Sequence, residues 1–330
     1  MTATVPPLLV MGEALTDVIV TPTGSRRTRP GGSTANVALG LARLGHPVRL
    51  ATRIGDDAPG QQLAGHLRCS GVKLTDGSIT QAPTSSALAR LDAAGSATYD
   101  FDITWNPAPQ AVDPLRMGSP SHLHTGSLAT ALPPGAHRVT AAVEQLRRTA
   151  TVSYDPNPRP ALLPDRAEAS ARVEGMVALS DVVKASAEDL AWLYPGASLL
   201  QLAERWIRTG PALVVVTRGE EGAWACWRNG HSRLPPSRVD TVVDTVGAGD
   251  AFMAGLLSGL LRTGLIGSGS QGAPDAEATR HALREATTPT HLTDQLAQAL
   301  AFAARVAALA CTRQGADPPT LRELVAGGRS

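Results

Sequence analysis

The sequence predicts an α/β fold in which helices pack on a buried, mainly parallel sheet, with a small second sheet outside it. Three observations predict this. Short apolar runs alternate with segments of helical periodicity along most of the chain. Aromatics are scarce, 3 Phe, 5 Trp and 3 Tyr in 330 residues, so the core must be aliphatic, which suits parallel strands covered by helices. Residues 85–103 break the alternation with a hairpin pattern.

Element by element, Leu8-Leu9-Val10-Met11 reads as a buried strand ending at Gly12, and Val18-Ile19-Val20 as a second strand entering a polar turn. After Gly31-Gly32, the apolar positions Val37, Ala38, Leu41 and Leu44 predict a helix that Gly45 stops. Val48–Ala51 is a further strand. Ser86–Asp92, a turn at Gly95 and Ala97–Ile103 form the hairpin, of the kind that builds a lid. Val152–Asp155, Val182–Lys184 and Ala212–Thr217 return to βα order, the last being the clearest buried strand. Residues 264–290 read as a loop with one short helix, and 292–311 as an Ala/Leu helix.

The bulk properties exclude several classes. A net charge of +1 leaves no basic stripe for nucleic acid and no polybasic membrane patch. Lys73 and Lys184 are the only lysines. No apolar run is long enough to span a bilayer, and the N-terminus lacks the pattern of a secretory leader. Cys69, Cys226 and Cys311 show no paired spacing, so buried thiols in a reducing cytoplasm are expected.

The chemistry concentrates in Asp244-Thr245-Val246-Gly247-Ala248-Gly249-Asp250. Val242–Asp244 reads as a strand end, followed by a glycine turn and an apolar helix. Such a turn leaves backbone N–H groups unpaired at the positive end of a helix dipole, which makes an anion site. Asp250 falls in the first helical turn, where it can accept a hydroxyl proton beside a phosphoryl group. The alternative reading of the same residues is a good turn before a helix, with an acidic dipole partner. Phe252 occupies the third position of a would-be dinucleotide fingerprint, and neither lysine follows a glycine as a P-loop requires.

This run resembles the second signature of the PfkB (ribokinase-like) carbohydrate kinases. Gly31-Gly32-Ser33-Thr34-Ala35-Asn36-Val37-Ala38, followed by Leu41-Ala42-Arg43-Leu44-Gly45, resembles the first. Within the family the likeness is strongest to fructokinases, through Gly12-Glu13-Ala14-Leu15-Thr16-Asp17, Asp155-Pro156-Asn157-Pro158-Arg159, Lys184-Ala185-Ser186, Val216-Thr217-Arg218-Gly219 and Arg313-Gln314-Gly315-Ala316. The resemblance implies a ribokinase-like αβα sandwich with a small β lid. It implies one kinase domain over 1–330, with lid segments near 13–30 and 85–110. It further implies ATP and Mg²⁺, often K⁺, and a homodimer formed through the lid.

Residue by residue, the resemblance places Asp250 on the catalytic base and the amides of Gly247, Ala248 and Gly249 on the anion hole. Asp17, Gly31, Gly32 and Asn36 fall on sugar-binding positions, and Thr217, Gly219 and Gly222 on the nucleotide loop. Ser186-Ala187-Glu188-Asp189 stands where many members carry N-x-x-E, with the shorter Asp189 as the metal-organising acid and Ser186 toward the nucleotide. Asp244 is the implied monovalent-cation position. Lys184 has two readings, a phosphate neighbour or an ordinary surface lysine closing a strand. His122 and His124 are expected to pack or hydrogen-bond rather than ligate, Trp105 either closes over the sugar or packs, and Arg90 and Arg159 are candidate substrate or phosphate contacts. The expected activity is transfer of the ATP γ-phosphoryl group to a sugar, with fructose first. The alternatives are another ketose, a 2-keto-3-deoxy sugar acid or a nucleoside, and, from another class, a sugar-binding regulatory protein without turnover.

Overall fold

A computed structural model describes residues 6–21, 23–91, 97–267 and 275–326. Its strands are β1 (Leu8–Met11), β2 (Leu15–Val20), β3 (Arg26–Gly31), β4 (Val48–Ala51), β5 (Ile54–Gly55), β6 (Val72–Leu74), β7 (Ile79–Thr80), β8 (Ser86–Leu91), β9 (Ala97–Asp102), β10 (His122–Gly126), β11 (Thr151–Asp155), β12 (Val182–Ser186), β13 (Leu213–Thr217), β14 (Ala223–Trp227) and β15 (Gly230–Leu234). Nine of them form one sheet in the order β15-β14-β13-β12-β11-β10-β1-β4-β6. From β13 to β6 every pairing is parallel, and β14 and β15 close one edge antiparallel.

The sheet is buried on both faces because its central strands carry apolar side chains toward each of them. Leu8, Val10, Leu50, Leu213 and Val215 point to one side, against helices Ser33–Arg43, Ala58–Cys69, Ala248–Arg262 and Asp294–Ala310. Leu9, Met11, Leu123, Val152, Tyr154, Val214 and Val216 point to the other, against helices Gly135–Leu146, Arg166–Leu179, Ala187–Leu193 and Leu199–Ile207. The alternation of strand side chains thus feeds two helical layers, the αβα sandwich expected.

The second sheet has the order β3-β2-β8-β9, with β2 and β8 parallel and the outer pairs antiparallel. Its hairpin strands match the sequence expectation, while the turn at Gly95 lies outside the described residues. The chain passes between the sheets at two knots. At the first, Gly12–Ala14 lies against Gly31–Gly32, where a β-carbon on Gly32 would meet the Glu13 carbonyl oxygen at 2.7 Å. At the second, Arg53 Nη1 donates to Ser85 Oγ (3.4 Å) and to the Thr104 carbonyl (3.3 Å), and the Thr104 N–H donates to Ser85 Oγ (3.2 Å).

One expected strand does not form. Residues 242–244 pair with no strand; Val242 and Val243 are exposed, and the N–H groups of Val243 and Asp244 donate to the Cys311 carbonyl at 2.8 and 3.2 Å. A β-branched pair without a neighbouring edge is held by the end of helix Asp294–Ala310 instead. Trp105 is buried, with its Nε1–H donating to the Ala129 carbonyl at 3.0 Å, so it packs in the core. His122 bonds Thr151 Oγ1 and Ser153 Oγ (both 2.8 Å), and His124 Nδ1 bonds Ser153 Oγ (2.9 Å). Burial pushes both imidazoles down to about 3, so they are neutral structural groups. Among the described residues no helix is long and apolar enough to cross a membrane.

Candidate active site

The carboxyl ends of β1, β11, β12 and β13 converge, the place where parallel α/β sheets bind ligands. Helix Ala248–Arg262 starts beside them. Gly247 caps it with a left-handed φ of 75°, which a glycine takes without strain. The Ala248 N–H is spent on the Thr245 carbonyl (3.1 Å) and closes the turn. Of the three anion-hole amides that the resemblance implies, that of Ala248 thus has a partner, while among the described residues those of Gly247 and Gly249 have none.

Asp250 is buried in the first turn. Its Oδ1 accepts from Ser33 Oγ (2.7 Å) and its Oδ2 from Asn36 Nδ2 (2.8 Å). Both donors ride on the first turn of helix Ser33–Arg43, whose N-cap, Gly32, has a φ of 101°. Glu13 fixes that turn: its Oε1 accepts from the Ser33 N–H (3.2 Å), and the Thr34 hydroxyl donates to the Glu13 carbonyl (2.8 Å). Asp17 shares the cleft face. A β-carbon on Gly31 would fall 2.2 Å from Asp17 Oδ2, so the glycine makes the space that this carboxylate fills.

Burial pushes Glu13 up to about 7, with the charge of Asp250 adding to the rise and a Ser127 hydrogen bond and Arg159 opposing it. Burial likewise pushes Asp17 up to about 6, against Arg159 and with Asp250. Arg159 is held by the Asn157 side-chain oxygen at 2.6 Å. Asn157 and Ser127 carry φ values of 34° and 52°, left-handed conformations that non-glycine residues adopt at a cost and that gather at functional sites.

Lys184 is buried in the middle of β12 rather than exposed at a strand end, and it pairs with buried Asp155 at 2.7 Å. Burial alone would lower it, but Asp155, Asp189 and Asp250 raise it. Burial lifts Asp155 to about 6 against the pull of Lys184, and its Oδ1 has no hydrogen-bond partner. A β-carbon on Gly249 would lie 3.1 Å from Lys184 Nζ, so the ammonium faces the bare side of the glycine turn.

Ser186 and Thr217 are register partners on β12 and β13. Gly219 and Gly222, with φ of 54° and 85°, turn the chain just beyond. Ser186 and Asp189 form a capping box, the Asp189 Oδ2 accepting the Ser186 N–H (2.9 Å) and Ser186 Oγ the Asp189 N–H (3.0 Å). Asp244 lies beyond the turn, its oxygens accepting the N–H groups of Val246 (3.0 Å) and Gly315 (2.8 Å). Arg90 is exposed on β8.

The sequence reading missed Ser33, Glu13, Asp155 and Arg29. Glu13 and Asp155 each carry a signal, a lone acid closing an apolar run. Arg29, opposite Asp17 in the β2–β3 ladder, lies over Gly315, whose β-carbon would stand 2.7 Å from its Nη1.

Known proteins resemble this chain in sequence and fold. The pfkB family carbohydrate kinase profile matches residues 7–323. A fructokinase of Rhizobium leguminosarum bv. trifolii is 35% identical over 286 residues, covering 83% of this chain and 86% of that protein. The crystal structure of a Xylella fastidiosa fructokinase with bound ATP superimposes with a TM-score of 0.80 at 27% identity, covering 98% of each chain. That of a Vibrio cholerae O395 fructokinase in fructose, ADP and calcium ion bound form gives 0.73 at 26% identity, covering 94% of each. With the elbow, the Asp250 clip and the two-sheet fold in place over nearly its whole length, the chain belongs to the pfkB family of carbohydrate kinases.

Proposed function

We propose that this ATP-dependent sugar kinase acts on a neutral sugar, with fructose as its substrate and Asp250 as the base. The observation that carries the reading is the position of Asp250, a carboxylate held from both sides at the head of a helix whose glycine turn faces Lys184. The base takes the proton of a primary hydroxyl while the free N–H groups of Gly247 and Gly249, with Lys184, hold the charge on the incoming γ-phosphoryl group. Asp17 and Asn36 read sugar hydroxyls, one as acceptor and the other as donor and acceptor, over the close backbone of Gly31 and Gly32. Thr217, Gly219, Gly222 and Ser186 border the nucleotide.

Among the described residues no group of three His, Cys, Asp or Glu side chains gathers as a metal cage. That fits Mg²⁺, which keeps waters and enters on nucleotide phosphates with one or two carboxylates. Asp155, with its unpartnered Oδ1, and Asp189 would hold it. When bound, it neutralises phosphate charge. A K⁺ ion at Asp244 is tested by replacing K⁺ with a bulky organic cation.

Charge favours a neutral sugar. Glu13, Asp17 and Asp250 surround the sugar side, with Arg159 set against Glu13 and Asp17 and Lys184 already shared between Asp250, Asp155 and Asp189. A sugar acid would add a further carboxylate to that set at a repulsive cost. Family membership and the intact base support turnover over a purely regulatory role. The small sheet acts as the lid that excludes water, its segments near 13–30 and 85–110 belonging to the single kinase domain, and pairs with a second copy. The enzyme works in the cytoplasm.

The test is ADP release with MgATP against a panel of sugars, sugar acids and nucleosides. A strong signal with fructose supports the reading. A signal confined to a sugar acid overturns the charge argument, and no release with any acceptor overturns the activity.

A further inference from the structure

Ser33 has a hydroxyl that its own helix does not use. The N-cap of helix Ser33–Arg43 is Gly32 and makes no side-chain cap, while Ser33 Oγ donates 2.7 Å to Asp250 Oδ1. Its backbone is pinned by Glu13 Oε1 at 3.2 Å, and Gly32 beside it holds a φ of 101°. The direction of the hydroxyl is therefore set by groups other than the substrate. Ser33 is buried, whereas Asn36, on the other carboxylate oxygen, is half-buried.

We propose that Ser33 is a positioning residue for phosphoryl transfer. It keeps one oxygen of Asp250 fixed while the other, held by Asn36 in the resting site, is handed to the sugar hydroxyl. This rests on Asp250 being the base. A carboxylate with one donor on each oxygen cannot turn about its last bond. When the hydroxyl displaces Asn36, the Ser33 bond alone preserves the plane of the group. A base tied at both oxygens is also poorly placed to activate water before sugar arrives.

The donor has an electrostatic effect as well: a hydroxyl donating to a carboxylate favours its charged form, the form that accepts the proton. The other charged groups around Asp250 are Glu13 and Asp17 from the β1–β2 segment, Asp155 and Arg159 from the end of β11, and Lys184 from β12. None of them is altered by a change at Ser33.

The experiment measures kcat and sugar KM for Ser33→Ala and Asp250→Asn, and for the near-isosteric pair Ser33→Thr and Ser33→Val. Losing a hydrogen bond to a charged group lowers kcat about 10-fold or more in Ser33→Ala and Ser33→Val. Sugar KM changes little, and Ser33→Thr restores kcat. A Val variant that matches the Thr variant in kcat overturns the proposal, even if Ser33→Ala folds poorly. So does a Ser33→Ala enzyme that loses thermal stability but keeps its kcat. Near-parent turnover in Asp250→Asn would instead remove the base reading beneath it.

Discussion

Lys184 ties Asp155 to the glycine turn: its Nζ is 2.7 Å from Asp155 Oδ2 and 3.1 Å from where a β-carbon on Gly249 would lie. One ammonium thus answers a buried carboxylate and faces the anion site. Lys184→Met should destabilise the protein by about 3–5 kcal/mol, because it strands Asp155. Adding Asp155→Asn should recover much of that stability, since the two changes couple, yet leave KM for ATP raised. Denaturant midpoints and ATP kinetics of the single and double variants check both halves.

Asp250→Asn keeps the shape of the site and removes the proton acceptor. General-base catalysis contributes about 10²–10⁴-fold, so kcat should fall at least that far. Thermal shifts with sugar and with nucleotide should persist. A variant with near-parent kcat would move the base elsewhere.

Stability should respond to pH through the raised carboxyl groups. Glu13 goes from 4.5 to about 7, and Asp17 and Asp155 from 3.8 to about 6. The folded protein holds these protons more tightly than the unfolded chain. Each group therefore adds stability that is complete below its ordinary value and lost as pH rises through the raised one. The ligand-free enzyme should lose melting temperature from about pH 4 to about pH 7. Glu13→Gln should remove roughly 3 kcal/mol of that loss. A slope unchanged in the variant would show that Glu13 does not titrate there.

Trp105 separates packing from sugar closure. Trp105→Ala should cost about 3–5 kcal/mol of stability, as buried aromatic truncations do. Sugar KM should stay near the parent value, because the indole is spent on Ala129 and the core. A raised KM with intact stability would reverse that assignment.

What the sequence revealed follows the range of each interaction. The elbow from Asp244 to Asp250 is legible because turn, cap and dipole partner are neighbours in the chain. The capping box of Ser186 and Asp189 is equally local, but the resemblance assigns those residues to nucleotide and metal and not to a helix cap. Ser33 reaches Asp250 across 217 positions, so no local pattern announces it. Lys184 lies in the middle of β12, not at its end, and the Asp155 carboxylate and the glycine turn that enclose it come from distant stretches of the chain. Val242 and Val243 mislead because β-branched residues signal a strand only where an edge is free to pair.

The two knots between the sheets have a practical consequence. The chain leaves the large sheet beside the place where it returns, at Glu13 and Gly32, and again at Ser85 and Thr104. A piece whose ends are already spliced together can be exchanged without restringing the rest. Residues 14–31 and 86–103 of a related kinase should therefore graft onto this body as one cassette, carrying a different acceptor preference while the transfer machinery stays with the host.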